Sequence, residues 1–257
     1  MIFAKIRKKR FQNLAKNKKI LFKKSINLLP NIFTLGNAFF GFCSIIFTAK
    51  SEYLSAAYFI LLGALMDALD GRIARLVGAA SPMGLQLDSL ADSVSFCLAP
   101  ALLIYFWQLK TLGFFGLLLS CIFFLAGILR LARFNLMAQE QSIFFLGLPT
   151  TIAGCFLAIF YLNTGFIYDN NFILLLITFI LVFLLSILMV SRVKFPAFKK
   201  NILSFTSSFG LTKKWRKIVI ISIFAFAFIL QFHKTLLVLF LLYFLSALYF
   251  KFKLKML

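Results

Sequence analysis

Long apolar runs, each about the length of a bilayer crossing, alternate with short basic or polar breaks along most of this chain. A transmembrane helix needs roughly 20 mainly apolar residues. Eight such segments can be drawn, at 32–49, 53–71, 84–107, 111–129, 147–163, 171–191, 216–232 and 235–250. The fifth is short, and only Phe232–Lys234 part the last two. The runs are continuous rather than alternating, which argues for helices and against a closed β-barrel. No loop has room for a soluble domain. The expected fold is all-α: a polytopic transmembrane helical bundle of about eight spans.

Composition agrees with the pattern. The 257 residues are 62% hydrophobic with a mean hydropathy of +0.99, more apolar surface than a soluble domain of this size can cover. Charge then orients the bundle. Of the 28 Lys and Arg, all but Lys50, Lys110 and Lys234 fall in breaks on one side. The positive-inside rule places that side, with both termini, in the cytoplasm. Tyr53, Trp107, Tyr161 and Tyr168 fall near the expected outer interface and Trp215 near the inner one, as aromatic belts do. The net charge of +21 invites a nucleic-acid reading. Its placement argues against one, because the basic residues lie beside spans, where anionic membrane lipids attract them. The basic run Lys5–Lys24 also carries Ile6, Phe11 and Leu14, with Ile2 and Phe3 just before it. It suits a basic interfacial helix on the inner leaflet, and equally a basic tail that only sets topology. No apolar core follows the charges within it, so it is not expected to be a signal peptide. Cys43, Cys97, Cys121 and Cys155 all fall in spans with no CxxC or Cys/His cluster, and read as packing residues rather than zinc ligands or disulfides.

One stretch does not fit a passive bundle. Four of the seven acidic residues, Asp67, Asp70, Asp88 and Asp92, lie within 26 residues of otherwise membrane-like sequence. A carboxylate inside a span costs a few kcal/mol, and four together repel one another. On a helix, Asp67, Asp70, Gly71, Ala74 and Arg75 share one face, and Gly84, Asp88 and Asp92 share a face of the next. The connector Gly78–Pro82 is short, so the helices are antiparallel neighbours and the two polar faces can meet. Facing carboxylates of this kind suit hard divalent cations, and so many charges suit two ions. Arg75 adds a fork suited to phosphate. Gly71 and Ala74 would let a ligand approach the backbone. The pattern points to a diphosphate ligand and phosphoryl-type transfer. A purely structural ion-pair network would need more cations than one or two arginines supply. A divalent-cation transporter is a remoter alternative, since it would spread acids along a path across the bilayer.

The residues Asp67-x2-Asp70-Gly71-x2-Ala74-Arg75-x8-Gly84-x3-Asp88-x3-Asp92 resemble the complete signature of the CDP-alcohol phosphatidyltransferase family. Five further stretches resemble its branch of membrane-integral bacterial phosphatidylserine synthases: LPNIFTLGNAFFGFCSI at 29–45, LDSLADSVSF with LAPA at 87–101, RLARFN at 130–135, GLP at 147–149 and VSRVKFPAFK at 190–199. Cys97 departs from the glycine expected there. The resemblance covers about residues 28 to 200. It divides the chain into a basic juxtamembrane segment (1–27), a transmembrane core of six helices (28–200) and a C-terminal helical pair with a basic tail (201–257).

The resemblance implies an enzyme that transfers the phosphatidyl group from CDP-diacylglycerol to L-serine, releasing CMP. It implies that Asp67, Asp70, Asp88 and Asp92 hold two ions, Mg²⁺ or Mn²⁺, and that Asp92 is the general base. Gly71, Ala74, Arg75 and Gly84 would bind the CDP diphosphate. A homodimer in a bacterial inner membrane, with the site facing the cytoplasm, is implied as well. A sibling using glycerol 3-phosphate or inositol phosphate is the alternative. Asn31, Thr34 and Asn37 follow Pro30 at the head of the first span. Asn31 suits a cap, and Asn37 is a candidate for the nucleotide-lipid headgroup. Only 8 of the 28 basic residues are arginine, yet the fourth span ends on Arg130 and Arg133. One of them is expected to grip a serine carboxylate or a phosphate; headgroup snorkelling is the alternative. His233 is the only histidine, which excludes a phospholipase-D-like synthase needing two.

Overall fold

The computed structural model describes residues 29–77, 81–137, 144–165, 172–191 and 194–196. The basic segment 1–27, the spans at 216–232 and 235–250, His233, Tyr168 and Trp215 lie outside the described residues.

Six helical rods account for the first six expected spans. They are α1 (Leu29–Ala49), α2 (Tyr53–Val77), a composite third rod, α5 (Phe114–Met137), α6 (Thr150–Thr164) and α7 (Phe172–Val190). The third rod runs through α3 (Pro82–Asp92), a π-helical stretch (Ser93–Leu98) and α4 (Ala99–Trp107). Five rods are long and apolar enough to cross a membrane; α6 is apolar but shorter. The molecule is a polytopic helical membrane bundle. Among the described residues, the one addition to the all-helical expectation is a small antiparallel ribbon, β1 (Phe144–Leu146) with β2 (Lys194–Pro196), which ties together the breaks after α5 and α7.

The turns follow local chemistry. α1 ends in a Schellman motif: Ser51 takes φ 62°, its N–H donates to Thr48 and the Glu52 N–H to Phe47. This folds α2 straight back along α1, its most extensive neighbour. Ser81 caps α3, accepting from the Gly84 N–H at 3.0 Å, and Pro82 fills the first helical position. The fourth expected span starts late. Residues 109–112 form a 3₁₀ turn, and Gly113 at φ 57° sets the direction of α5.

The π stretch is the least local feature. Pro100 would otherwise press its ring on the Phe96 carbonyl four residues back, and here the Ala99 N–H bonds to Val94 instead. The wider coil needs room, and glycines on three rods provide it. A methyl group at Gly41 would fall 2.8 Å from Ser95 Cα, one at Gly154 2.6 Å from the Phe96 oxygen, and one at Gly127 3.0 Å from Cys97 Cβ. Cys97, the departure noted above, therefore packs on a glycine that accommodates it.

Candidate active site

α2 and α3 both pack against α1 and bring carboxylates together. Carboxylate oxygens of Asp67, Asp70 and Asp88 all lie within 4.8 Å of one another. Asp70 is buried, while Asp67 and Asp88 are half-buried. The Asp88 Oδ1 atom is enclosed without a hydrogen-bond partner among the described residues. Three converging carboxylates, one with an orphaned oxygen, fit a divalent cation.

The fourth acid lies within electrostatic reach of Asp67 and Asp88 but outside the 4.8 Å cluster. Asp92 is buried on the last turn of α3, where the π stretch begins. Its Oδ1 accepts a hydrogen bond from Asn37 Nδ2 at 3.1 Å. One turn earlier on α1, the Thr34 hydroxyl donates to Asp70 Oδ2 at 2.7 Å, with the Pro30 carbonyl at 3.2 Å. Two buried polar side chains of one apolar helix thus each hold one aspartate. Beside Asp70, a side chain added at Gly71 would meet nothing within 4 Å, so the floor next to the triad is open.

The family model of CDP-alcohol phosphatidyltransferases matches residues 27–185. This chain belongs to the CDP-alcohol phosphatidyltransferase family. Among relatives, the CDP-diacylglycerol–serine O-phosphatidyltransferase of Bacillus subtilis is 40% identical over 176 residues, covering 68% of this chain and 94% of that one. The enzyme of the same name from Helicobacter pylori strain 26695 is 35% identical over 176 residues, 67% of this chain and 73% of that one. The archaetidylserine synthase of Methanothermobacter thermautotrophicus is 35% identical over 170 residues, 65% of this chain and 69% of that one.

Within this phosphatidyltransferase the remaining candidates part company. Ala74 lies half-buried on the triad's helix. The Arg75 side chain lies outside the described residues. Gly84 faces its own cap: a methyl group there would lie 3.1 Å from Ser81 Oγ and 3.4 Å from Asn31 Oδ1. Gly84 and Asn31 thus both lie at the start of α3. The two arginines separate as well. Arg130 is buried, donates to Thr150 Oγ1 at 3.2 Å, lies 5.2 Å from the Phe134 ring centroid and is within electrostatic reach of Asp92. Arg133 turns the other way. Its guanidinium donates to the carbonyls of Met189, Val190 and Ser191 at 3.0–3.2 Å, closing the C-terminal end of α7. Arg130 is the member of the pair that lies near Asp92.

Sequence reasoning passed over Thr150, Ser95 and the pair Ser89–Asn135, whose side chains bond at 3.0 Å between α3 and α5. Asn135 closes the RLARFN stretch, so a polar side chain after two arginines was the available signal. Ser95 offered none, because its partner is the Asn37 backbone oxygen, 58 residues away in sequence.

Proposed function

We propose that this protein transfers the phosphatidyl group of CDP-diacylglycerol to L-serine, forming phosphatidylserine and releasing CMP. One observation carries the reading: the carboxylate triad beside a separately held Asp92, in a chain 40% identical to an enzyme named for that reaction. The serine hydroxyl oxygen forms a bond to the phosphorus that bears diacylglycerol, and the bond from that phosphorus to the CMP oxygen breaks. Asp92 receives the hydroxyl proton, since a neutral alcohol is a poor nucleophile until that proton leaves. Asp67, Asp70, Asp88 and Asp92 would hold the divalent cations, two ions of Mg²⁺ or Mn²⁺. Such ions would supply neutralisation of the charge developing on the diphosphate, which would make CMP a better leaving group. Gly71 and Ala74 leave room for the nucleotide, and Arg75 pairs with its phosphate. Arg130 supplies a buried positive fork for the serine carboxylate.

The site opens to the cytoplasm of a bacterium, across whose inner membrane the chain is threaded with both termini inside; the support is the one-sided distribution of Lys and Arg. The chain works as a homodimer, with residues 28–200 as the catalytic core, 1–27 as a basic segment on the inner leaflet and 201–257 as an appended helical pair. The test supplies purified protein with CDP-diacylglycerol, Mn²⁺ and, in turn, serine, glycerol 3-phosphate or inositol phosphate, and identifies the lipid by mass. Phosphatidylserine with serine alone is expected. A phosphorylated product lipid in its place would move the enzyme to the sibling specificity.

A further inference from the structure

We infer that Asn37 is a positioning residue for Asp92: its amide, clamped between α2 and the π stretch, fixes the carboxylate that takes the acceptor's proton. The inference rests on the role proposed for Asp92. Sequence reasoning pointed Asn37 at the nucleotide headgroup, and its surroundings point elsewhere. Its exposure is 0%, so it offers no surface to a substrate. Its Nδ2 donates to Asp92 Oδ1 at 3.1 Å. With Asp92 ionised, as a base must be, the amide has one workable orientation, because the reversed one would set oxygen against carboxylate oxygen.

Neighbours on two other elements hold the amide from behind. The amide oxygen has no hydrogen-bond partner among the described residues. It fits only because position 63 is glycine, since a methyl group there would lie 2.9 Å from it. The Asn37 backbone oxygen accepts from Ser95 Oγ at 2.8 Å. Gly41, one turn along α1, lets the Ser95 backbone come that close. Ser95 lies three residues beyond Asp92, inside the π stretch. The short segment from Asp92 to Ser95 therefore carries the base and grips the residue that orients it, so Asn37 is tied to it at two points, Asp92 and Ser95. A buried amide is costly unless it is bonded, and the bond found here is to Asp92.

Removing a group that orients a reacting or ligating side chain commonly costs about 10–100-fold in activity. Asn37→Ala and the nearer-sized Asn37→Thr are to be purified as full chains in detergent, beside Asp92→Asn and the double variant Asn37→Ala/Asp92→Asn. Melting temperature and direct CDP binding are read for each, with kcat and KM for serine and CDP-diacylglycerol at saturating Mn²⁺. Both single Asn37 variants should lower kcat by about 10–100-fold with CDP binding and the KM for CDP-diacylglycerol little changed. The double variant should be no slower than Asp92→Asn alone, because Asn37 acts only through that carboxylate. Wild-type kcat in both Asn37 variants overturns the inference. So does a raised KM for CDP-diacylglycerol with kcat intact, which would return Asn37 to substrate binding. A slow Asp92→Asn with multiplying losses in the double variant overturns the positioning role while leaving Asp92 as the base. Near wild-type kcat in Asp92→Asn overturns the base and this inference together.

Discussion

Asp67 and Asp70 stand near one end of α2, and Tyr53 stands at the other, about 20–25 Å away along the helix. At the tyrosine end the side chains close on one another. Tyr161 lies 6.2 Å from Tyr53 and 5.1 Å from Trp107, ring centroid to centroid, and the Tyr53 hydroxyl donates to the Phe106 carbonyl. The 3₁₀ turn packs so tightly that a methyl group at Gly116 would run into the Leu109 carbonyl. At the acidic end the helices hold like charges together and leave open space at Gly71. The aromatic end gains stability by filling volume. The acidic end gives some up by confining carboxylates that only a cation can reconcile. A bundle can carry such a site because the two demands fall at opposite ends of the same rods.

Substitutions at the two ends should therefore separate activity from stability. The largest loss of activity is expected from Asp70→Ala or Asp88→Ala. Each removes a ligand of a cluster whose ions are worth several kcal/mol to the transition state, so turnover should fall by about 10³-fold or more. The melting temperature without metal should hold or rise, because one of several mutually repelling carboxylates is gone. Turnover assays and thermal scans on the same preparation check both halves.

Arg133→Lys should behave in the reverse sense. Lysine cannot reach three carbonyls as a fork, so the end of α7 loses its closure, at a cost of about 1–3 kcal/mol. Thermal unfolding should show the loss, while KM for serine stays near its wild-type value; a large rise in that KM would return Arg133 to the substrate. Gly116→Ala should be the quietest for chemistry. Overpacking costs about 1–3 kcal/mol, read as a lower melting temperature, with kcat of the folded protein unchanged.

Much of this was legible in the sequence, for reasons that separate the residues involved. Hydropathy located the rods because a bilayer imposes length and apolarity on each crossing. It ended α2 and α5 early, at 71 and 129 rather than at Val77 and Met137. Both helices continue past the hydrophobic boundary into polar residues, and those last turns carry Arg75, Arg130 and Arg133. The acid faces were readable from helical periodicity alone, which brought Asp67, Asp70 and Asp88 together. The hydrogen bond that Asp92 accepts was not readable, since it comes from Asn37 of another helix. The π stretch was hidden because it is a contract among glycines scattered from Gly41 to Gly154. Arg133 carried the same local signal as Arg130, three residues before it. Only the return of α7 distinguishes them, and the partners it brings lie 56–58 residues further on.

The contrast between the two ends turns on the acidic end holding a divalent ion, and binding of Mn²⁺ to purified protein, followed by the resonance of the free ion, tests that without any turnover. Wild-type protein and Gly116→Ala should both withdraw Mn²⁺ from solution at the same affinity, whereas Asp88→Ala should bind it at least about tenfold more weakly. Equal binding by wild type and Asp88→Ala would contradict the account.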